Sequence, residues 1–267
     1  MLKDITLGQY FPGNTLAHRL DPRVKIVLVI IYVVGLFSAN FLLSYGIMVM
    51  MLALAISVSK VKMKALLNGL RPILIIVILT ALLNLFYTPG EEIFSWWVIS
   101  VTKEGVVRAA LMVLRIVMLI MGTFLLTYTT SPIKLTSGIE SLLSPLKKLR
   151  FPVHELAMMM SIALRFIPTL IEETDKIMSA QKARGANFED GSLIQRAKAL
   201  VPLLVPLFVS AFRRADELSV AMECRCYHGG EGSTKLHVLR CKKEDYFVLI
   251  GAVALIAAVI VISKLGW

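Results

Sequence analysis

The chain has 267 residues, 57% of them hydrophobic and 18% charged, and its 29 Lys and Arg against 18 Asp and Glu leave a net charge of +11. A mean hydropathy of +0.75 excludes an ordinary soluble domain. The basic residues lie in blocks between long apolar runs, which points away from nucleic acid and towards the cytoplasmic face of a multi-pass membrane protein. All three cysteines, Cys224, Cys226 and Cys241, fall in a region assigned below to the cytoplasm, so no disulfide framework is expected.

Residues 1–23 carry Asp4 and Asp21 among scattered polar side chains and lack the apolar core of a cleaved signal, so they are expected to stay in place. His18 reads as a capping or surface residue. Residues 24–37 form the first apolar run and 41–58 the second, separated only by Ser38, Ala39 and Asn40. The first is shorter than the roughly 20 residues of a straight span, which predicts a tight hairpin that stops short of the far side or is covered by other helices. Residues 69–87, 105–127 and 246–262 read as the third, fourth and last spans. Within the fourth, Arg115 stands deep in apolar surroundings with Arg108 two turns earlier. It is either a functional group or a partner for a carbonyl or a neighbouring subunit.

Arg19, Arg23 and Lys25 precede or open the first span, and Lys60, Lys62, Lys64 and Arg71 lie between the second and third or at the start of the third. The 38–40 turn is uncharged, and the 89–104 loop carries Glu91, Glu92 and Glu104 against Lys103 alone. The positive-inside rule therefore places the amino terminus and the long basic block in the cytoplasm and the carboxyl terminus outside, with Trp96 and Trp97 in an outer aromatic belt.

Residues 128–245 are predicted to be three further helices. The first, 133–149, presents Ile133, Leu135, Ile139, Leu142, Leu143 and Leu146 and ends in Lys147, Lys148 and Arg150, where cations suit the helix dipole. The second, 154–184, stops at Gly185, and the third, 191–223, is followed by glycines at 229, 230 and 232. Pro168, Pro202 and Pro206 are expected to bend the two long helices, and Met158, Met159 and Met160 to serve ordinary packing. His154 reads as a capping or surface residue. The fold class is thus all-α, with four spans in residues 1–127, the three-helix block in 128–245 and the last span in 246–267.

Both long helices finish in an arginine, within Ala183-Arg184-Gly185 and Cys224-Arg225-Cys226. A guanidinium offers a planar fork that pairs with a carboxylate at two points, and small neighbours let the backbone approach a groove wall. The alternative for either motif alone is a cation complementing its helix dipole or reaching to headgroups.

These motifs carry a family resemblance. Leu16-Ala17-His18-Arg19-Leu20-Asp21-Pro22-Arg23-Val24-Lys25, Ala163-Leu164-Arg165-Phe166-Ile167-Pro168 with Gln181-Lys182-Ala183-Arg184-Gly185, and Ala221-Met222-Glu223-Cys224-Arg225-Cys226-Tyr227 resemble the transmembrane T components of energy-coupling factor (ECF) transporters, the EcfT family, over nearly the whole chain. Cys224 and Cys226 depart from the Ala and Gly that usually flank the second arginine. The resemblance implies a scaffold and energy-coupling subunit of a vitamin or micronutrient importer. Arg184 and Arg225 would dock into two ATP-binding-cassette ATPase subunits (EcfA and EcfA'), and the Ile133–Leu146 face would hold a substrate-binding S component. It also implies that this chain binds no cofactor, ATP and magnesium being used by the partner ATPases.

The remaining residues point the same way. No Gly-x-x-x-x-Gly-Lys-Ser/Thr is present, and Gly229-Gly230-Glu231-Gly232-Ser233-Thr234-Lys235 has similar letters in another order after a helix. The predicted spans contain no Asp or Glu, against a self-sufficient ion-driven carrier. A membrane enzyme with a cytoplasmic active site is the rival reading, but Glu172, Glu173 and Asp175, the only dense acids near the signature, read with Lys176 as a solvated face. No catalytic residue is assigned. Cys224, Cys226 and His228, with His237 or Cys241, lack the spacing of a metal site, and none is expected.

Overall fold

The computed structural model describes residues 10–39, 41–89, 92–96, 99–186, 188, 192–229 and 238–265. Helices α1 (Leu16–Arg19), α2 (Pro22–Ser38), α3 (Leu42–Ser59), α4 (Met63–Leu70) and α5 (Leu74–Tyr87) precede an antiparallel hairpin of β1 (Glu92–Trp96) and β2 (Ile99–Thr102). Then come α6 (Lys103–Thr129), α7 (Pro132–Leu142), α8 (Val153–Ala183), α9 (Leu193–Cys224) and α10 (Lys243–Leu265). The chain is the helical membrane protein its composition implies. The hairpin stands where the sequence reads an outer loop. Its Ile93, Phe94, Trp96, Ile99 and Val101 are residues that favour extended backbone. Trp97, His237 and the glycines at 230 and 232 lie outside the described residues.

By length and composition five helical segments can cross a membrane: Leu42–Ser59, Met63–Tyr87, Lys103–Thr129, Val153–Ala183 and Lys243–Lys264. Four of them overlap predicted spans. Helix α2, expected as a short first span, has 17 residues. Helix α8, expected in the cytoplasmic block, qualifies because its first half is apolar, although Glu172, Glu173, Asp175 and Lys176 crowd its second half. The third span begins earlier than predicted, at Met63, and is interrupted by a 3-10 turn at Arg71–Ile73, because Pro72 has no amide proton and cannot continue an α-helix from within. The predicted 133–149 helix is likewise divided. Helix α7 ends at Leu142, and Pro145 opens a separate 3-10 turn, Ser144–Leu149.

Two compact units emerge, one of residues 139–238 and one of residues 10–138 with 239–265. The boundary between them falls inside α7. In the second unit Tyr32, Leu36, Ala39, Tyr45, Met48, Leu52, Met118 and Val259 make a buried core contributed by α2, α3, α6 and α10. The Tyr32 hydroxyl donates to the Met118 carbonyl at 3.1 Å, so this polar tip is satisfied inside the bundle. Opposite it, a Cβ at Gly122 would come within 2.5 Å of the Tyr32 ring, so α6 approaches α2 this closely only because residue 122 is glycine.

A buried polar node joins the starts of α2 and α10 to the end of α6. Asp21 caps α2 by accepting from the Arg23 amide at 2.9 Å. Asp245 accepts from the Asp21 amide at 2.9 Å and from the Lys242 amide at 2.6 Å. The Lys25 ammonium donates to the Thr129 carbonyl and the Thr130 hydroxyl at 3.0 and 3.1 Å. Each of these charges is buried, and each has the partners that burial demands.

Candidate partner-docking site

The ends of α8 and α9 share one backbone geometry. At the first, the Ala186 amide donates to the Gln181 carbonyl and the Gly185 amide to the Lys182 carbonyl, both at 3.0 Å. At the second, the Tyr227 amide donates to the Met222 carbonyl at 3.1 Å and the Cys226 amide to the Glu223 carbonyl at 2.8 Å. Both are Schellman terminations, and in both the arginine is the C-cap residue. Arg184 and Arg225 thus leave equivalent points on their helices. Ala183, Arg184, Gly185, Cys224, Arg225 and Cys226 are all exposed, and neither guanidinium has a hydrogen-bond or ion-pair partner among the described residues. Two cations held at stiff helix ends and left unpaired are suited to a partner's carboxylates.

The termination also shows what the departure at Cys226 costs. The residue after the C-cap must take a left-handed backbone, which Gly185 does at φ +88° and Cys226 at φ +56°. A side chain there is strained by roughly 1–2 kcal/mol, partly offset by the chain entropy that glycine would lose. Cys226→Gly is therefore expected to stabilise the α9 end by about 1 kcal/mol, seen as a melting temperature raised by roughly 2–4 °C. A melting temperature that falls would contradict this account of the tip.

On the α7 segment Ile133 is exposed, and Leu135, Ile139 and Leu142 are half-buried. Leu143 and Leu146 are exposed but lie beyond the end of the α-helix, so the six residues do not form one continuous helical face. Ile133 and Leu135 belong to one compact unit and the other four to the other. His154, read as a capping or surface residue, instead meets Glu140 through Nδ1 at 3.1 Å and links the start of α8 to the end of α7.

Glu173, partly exposed, does more than sit on a solvated face. Its carboxylate accepts from the Ser210 hydroxyl and from Arg214 Nη2, the latter at 3.1 Å, bridging α8 to α9. Ser210 and Arg214 stand four residues apart and so share one face of α9, a spacing visible in the sequence. Their partner on another helix was not.

Arg115 is resolved by its neighbours within the bundle. Its Nε donates to the Tyr45 hydroxyl at 2.8 Å and its Nη2 to the Ala39 carbonyl at 2.9 Å. The guanidinium carbon lies 5.9 Å from the Phe37 ring centroid and 5.6 Å from that of Tyr45. It therefore pins the α2–α3 turn to α6, capping the carboxyl end of α2 where a cation suits the dipole.

Among the thiols, Cys224 and Cys226 stand at the tip, whereas Cys241 Sγ faces Asp21 Oδ2 at 3.8 Å. Cys241 is exposed as a residue, yet local burial of its sulfur and the Asp21 carboxylate push its thiol up from the usual cysteine range.

A family model described as CbiQ, cobalt transport protein, matches residues 13–236. The energy-coupling factor transporter transmembrane protein EcfT of Clostridium kluyveri is 54% identical over 269 residues, covering 100% of this chain and 99% of its own. The EcfT of Acidaminococcus fermentans is 53% identical, covering 100% and 98%, and that of Bacillus subtilis 49%, covering 96% and 97%. With identities at this level across full-length chains, and with a model of the family matching most of the sequence, the protein belongs to the CbiQ/EcfT family as a transmembrane component of energy-coupling factor transporters.

Proposed function

We propose that this chain is the energy-coupling scaffold of an ECF importer, carrying the motion of two ATP-binding-cassette ATPases to a membrane-embedded S component that holds the vitamin or micronutrient. The observation that carries the reading is the pair of matched Schellman ends, each presenting an exposed C-cap arginine with no partner among the described residues. One arginine enters an acidic groove of each ATPase, where two-point pairing fixes orientation as well as charge. Closure of the ATPases around ATP and magnesium then displaces α8 and α9. This chain itself binds no nucleotide and performs no chemistry.

In this reading the amino terminus and the region from α7 to α9 lie on the cytoplasmic side of the cell membrane, since the Lys and Arg blocks flank the spans there. Helix α8 is amphipathic enough to lie along the membrane surface, its apolar half towards lipid and its charged half at the arginine end. Ile133, Leu135, Ile139, Leu142, Leu143 and Leu146 contact the S component. An apolar face without directional bonds permits release and exchange of that partner.

The test is affinity capture of the chain from its native membranes beside Arg184→Ala combined with Arg225→Ala. Recovery of two ATPases and a small membrane protein with the wild type, and loss of the ATPases alone in the double variant, is expected; equal recovery from both would refute the docking role. The thiols supply an independent check. In the isolated chain at pH 7.5, Cys224 and Cys226 are expected to be alkylated by a maleimide before Cys241, whose proton is held more tightly. Assembly with the ATPases is expected to protect Cys224 and Cys226. Unchanged labelling on assembly would place the contact elsewhere.

A further inference from the structure

The contact between α8 and α9 is placed with unexpected symmetry. Glu173 of α8 takes hydrogen bonds from Ser210 and Arg214 of α9. Arg184 follows Glu173 by eleven residues, and Arg225 follows Arg214 by eleven. Eleven residues are about three helical turns, or about 16 Å, and return to within about 20° of the starting face. Each tip arginine therefore lies the same distance along its own helix from its bracket residue, and on nearly the same face of that helix. The prolines that interrupt the hydrogen-bond ladders, Pro168 in α8 and Pro202 and Pro206 in α9, all lie on the opposite side of the bracket from the tips. Both arms from bracket to tip are thus uninterrupted helix.

We propose that Glu173, Ser210 and Arg214 form the pivot of the coupling helices, and that they are positioning residues for Arg184 and Arg225. Equal, stiff arms about one charge-assisted contact convert closure of two alike ATPases into equal displacements of the two tips. The bracket fixes the crossing point while the angle between the arms changes. Two helices sliding freely at their crossing would absorb that displacement instead of passing it on. A carboxylate taking one hydroxyl and one guanidinium donor restrains the crossing in direction, which apolar packing does not do.

This inference rests on the docking reading, and the experiment separates the two. The complete transporter is captured through this chain as wild type, Glu173→Gln, Ser210→Ala, and the exchanged pair Glu173→Arg with Arg214→Glu. Each complex is reconstituted into vesicles, and substrate uptake is measured together with ATP hydrolysis. Glu173→Gln is expected to recover both ATPases at the wild-type level and to hydrolyse ATP, while uptake per ATP falls about tenfold. Ser210→Ala is expected to fall less, and the exchanged pair to regain most of the uptake per ATP. A merely structural contact would not change that ratio in assembled complexes.

Unchanged uptake per ATP in Glu173→Gln overturns the pivot and leaves docking intact. So does failure of both Glu173→Gln and Ser210→Ala to assemble when the wild type does, since the bracket would then be a folding contact. Failure of the wild type to recruit ATPases is failure of the docking reading, and the pivot falls with it.

Discussion

Uptake driven by ATP is expected to be abolished when Arg184 and Arg225 are both replaced by alanine, with the membrane bundle still folded. Neither guanidinium has an intramolecular partner among the described residues, and both residues are exposed, so their removal orphans none of the described groups. The loss falls on the interface. Truncating one partner of a buried interfacial charge pair costs about 2–5 kcal/mol, a weakening of roughly 30-fold to several thousand-fold per site. Single variants are expected to retain one ATPase more firmly than the other, because in the proposed docking each tip serves its own groove. Arg→Lys at either tip is expected to rescue poorly, since an ammonium cannot reproduce the two-point fork. The measurement is ATP-dependent uptake in vesicles beside the melting temperature of the isolated chain. An unaltered melting temperature with lost uptake is the expected pattern; a lowered one would mean the arginines hold the fold.

Arg115 is expected to show the reverse. Arg115→Ala leaves the Ala39 carbonyl and the Tyr45 hydroxyl, both on buried residues within the bundle, without their donor. An unsatisfied buried polar group costs about 1–3 kcal/mol, and the two together with the lost ring contacts amount to about 3 kcal/mol or more. For a chain of this size that lowers the melting temperature by roughly 6–12 °C. Arg115→Lys, with one compact ammonium in place of a fork, is expected to lose about half as much. The protein that does fold is expected to support uptake per molecule close to wild type, because the guanidinium is engaged by its own helices. Arg115→Ala that folds normally but fails to transport would return this residue to the list of functional groups.

Much of the candidate site could be read from local sequence. Arg184 and Arg225 each belong to a short motif at the end of a long helical pattern, and helix ends are governed by neighbours within five residues. What escaped the reading at the tips was the left-handed backbone at Cys226, because only a glycine announces that conformation in a sequence. The α7 segment shows another limit. Pro145 was visible, but the apolar spacing from Ile133 to Leu146 mimics one helix, and the periodicity continues across the break.

Composition and the alternation of apolar runs with basic blocks determined that this is a helical membrane protein, and two matched arginine motifs supplied the docking site proposed for its partners. Those properties are carried by runs and near neighbours, on which burial in lipid, helix termination and charge placement directly depend. The tertiary structure alone decided the roles of the charges between those points. Glu173 finds Ser210 and Arg214 across a helix crossing, Asp245 binds the amide of Asp21, and Arg115 closes on Ala39 and Tyr45. Each pairing joins residues dozens to hundreds of positions apart. A lone charge in an apolar run demands a partner, but only the packing of the helices selects which one it finds.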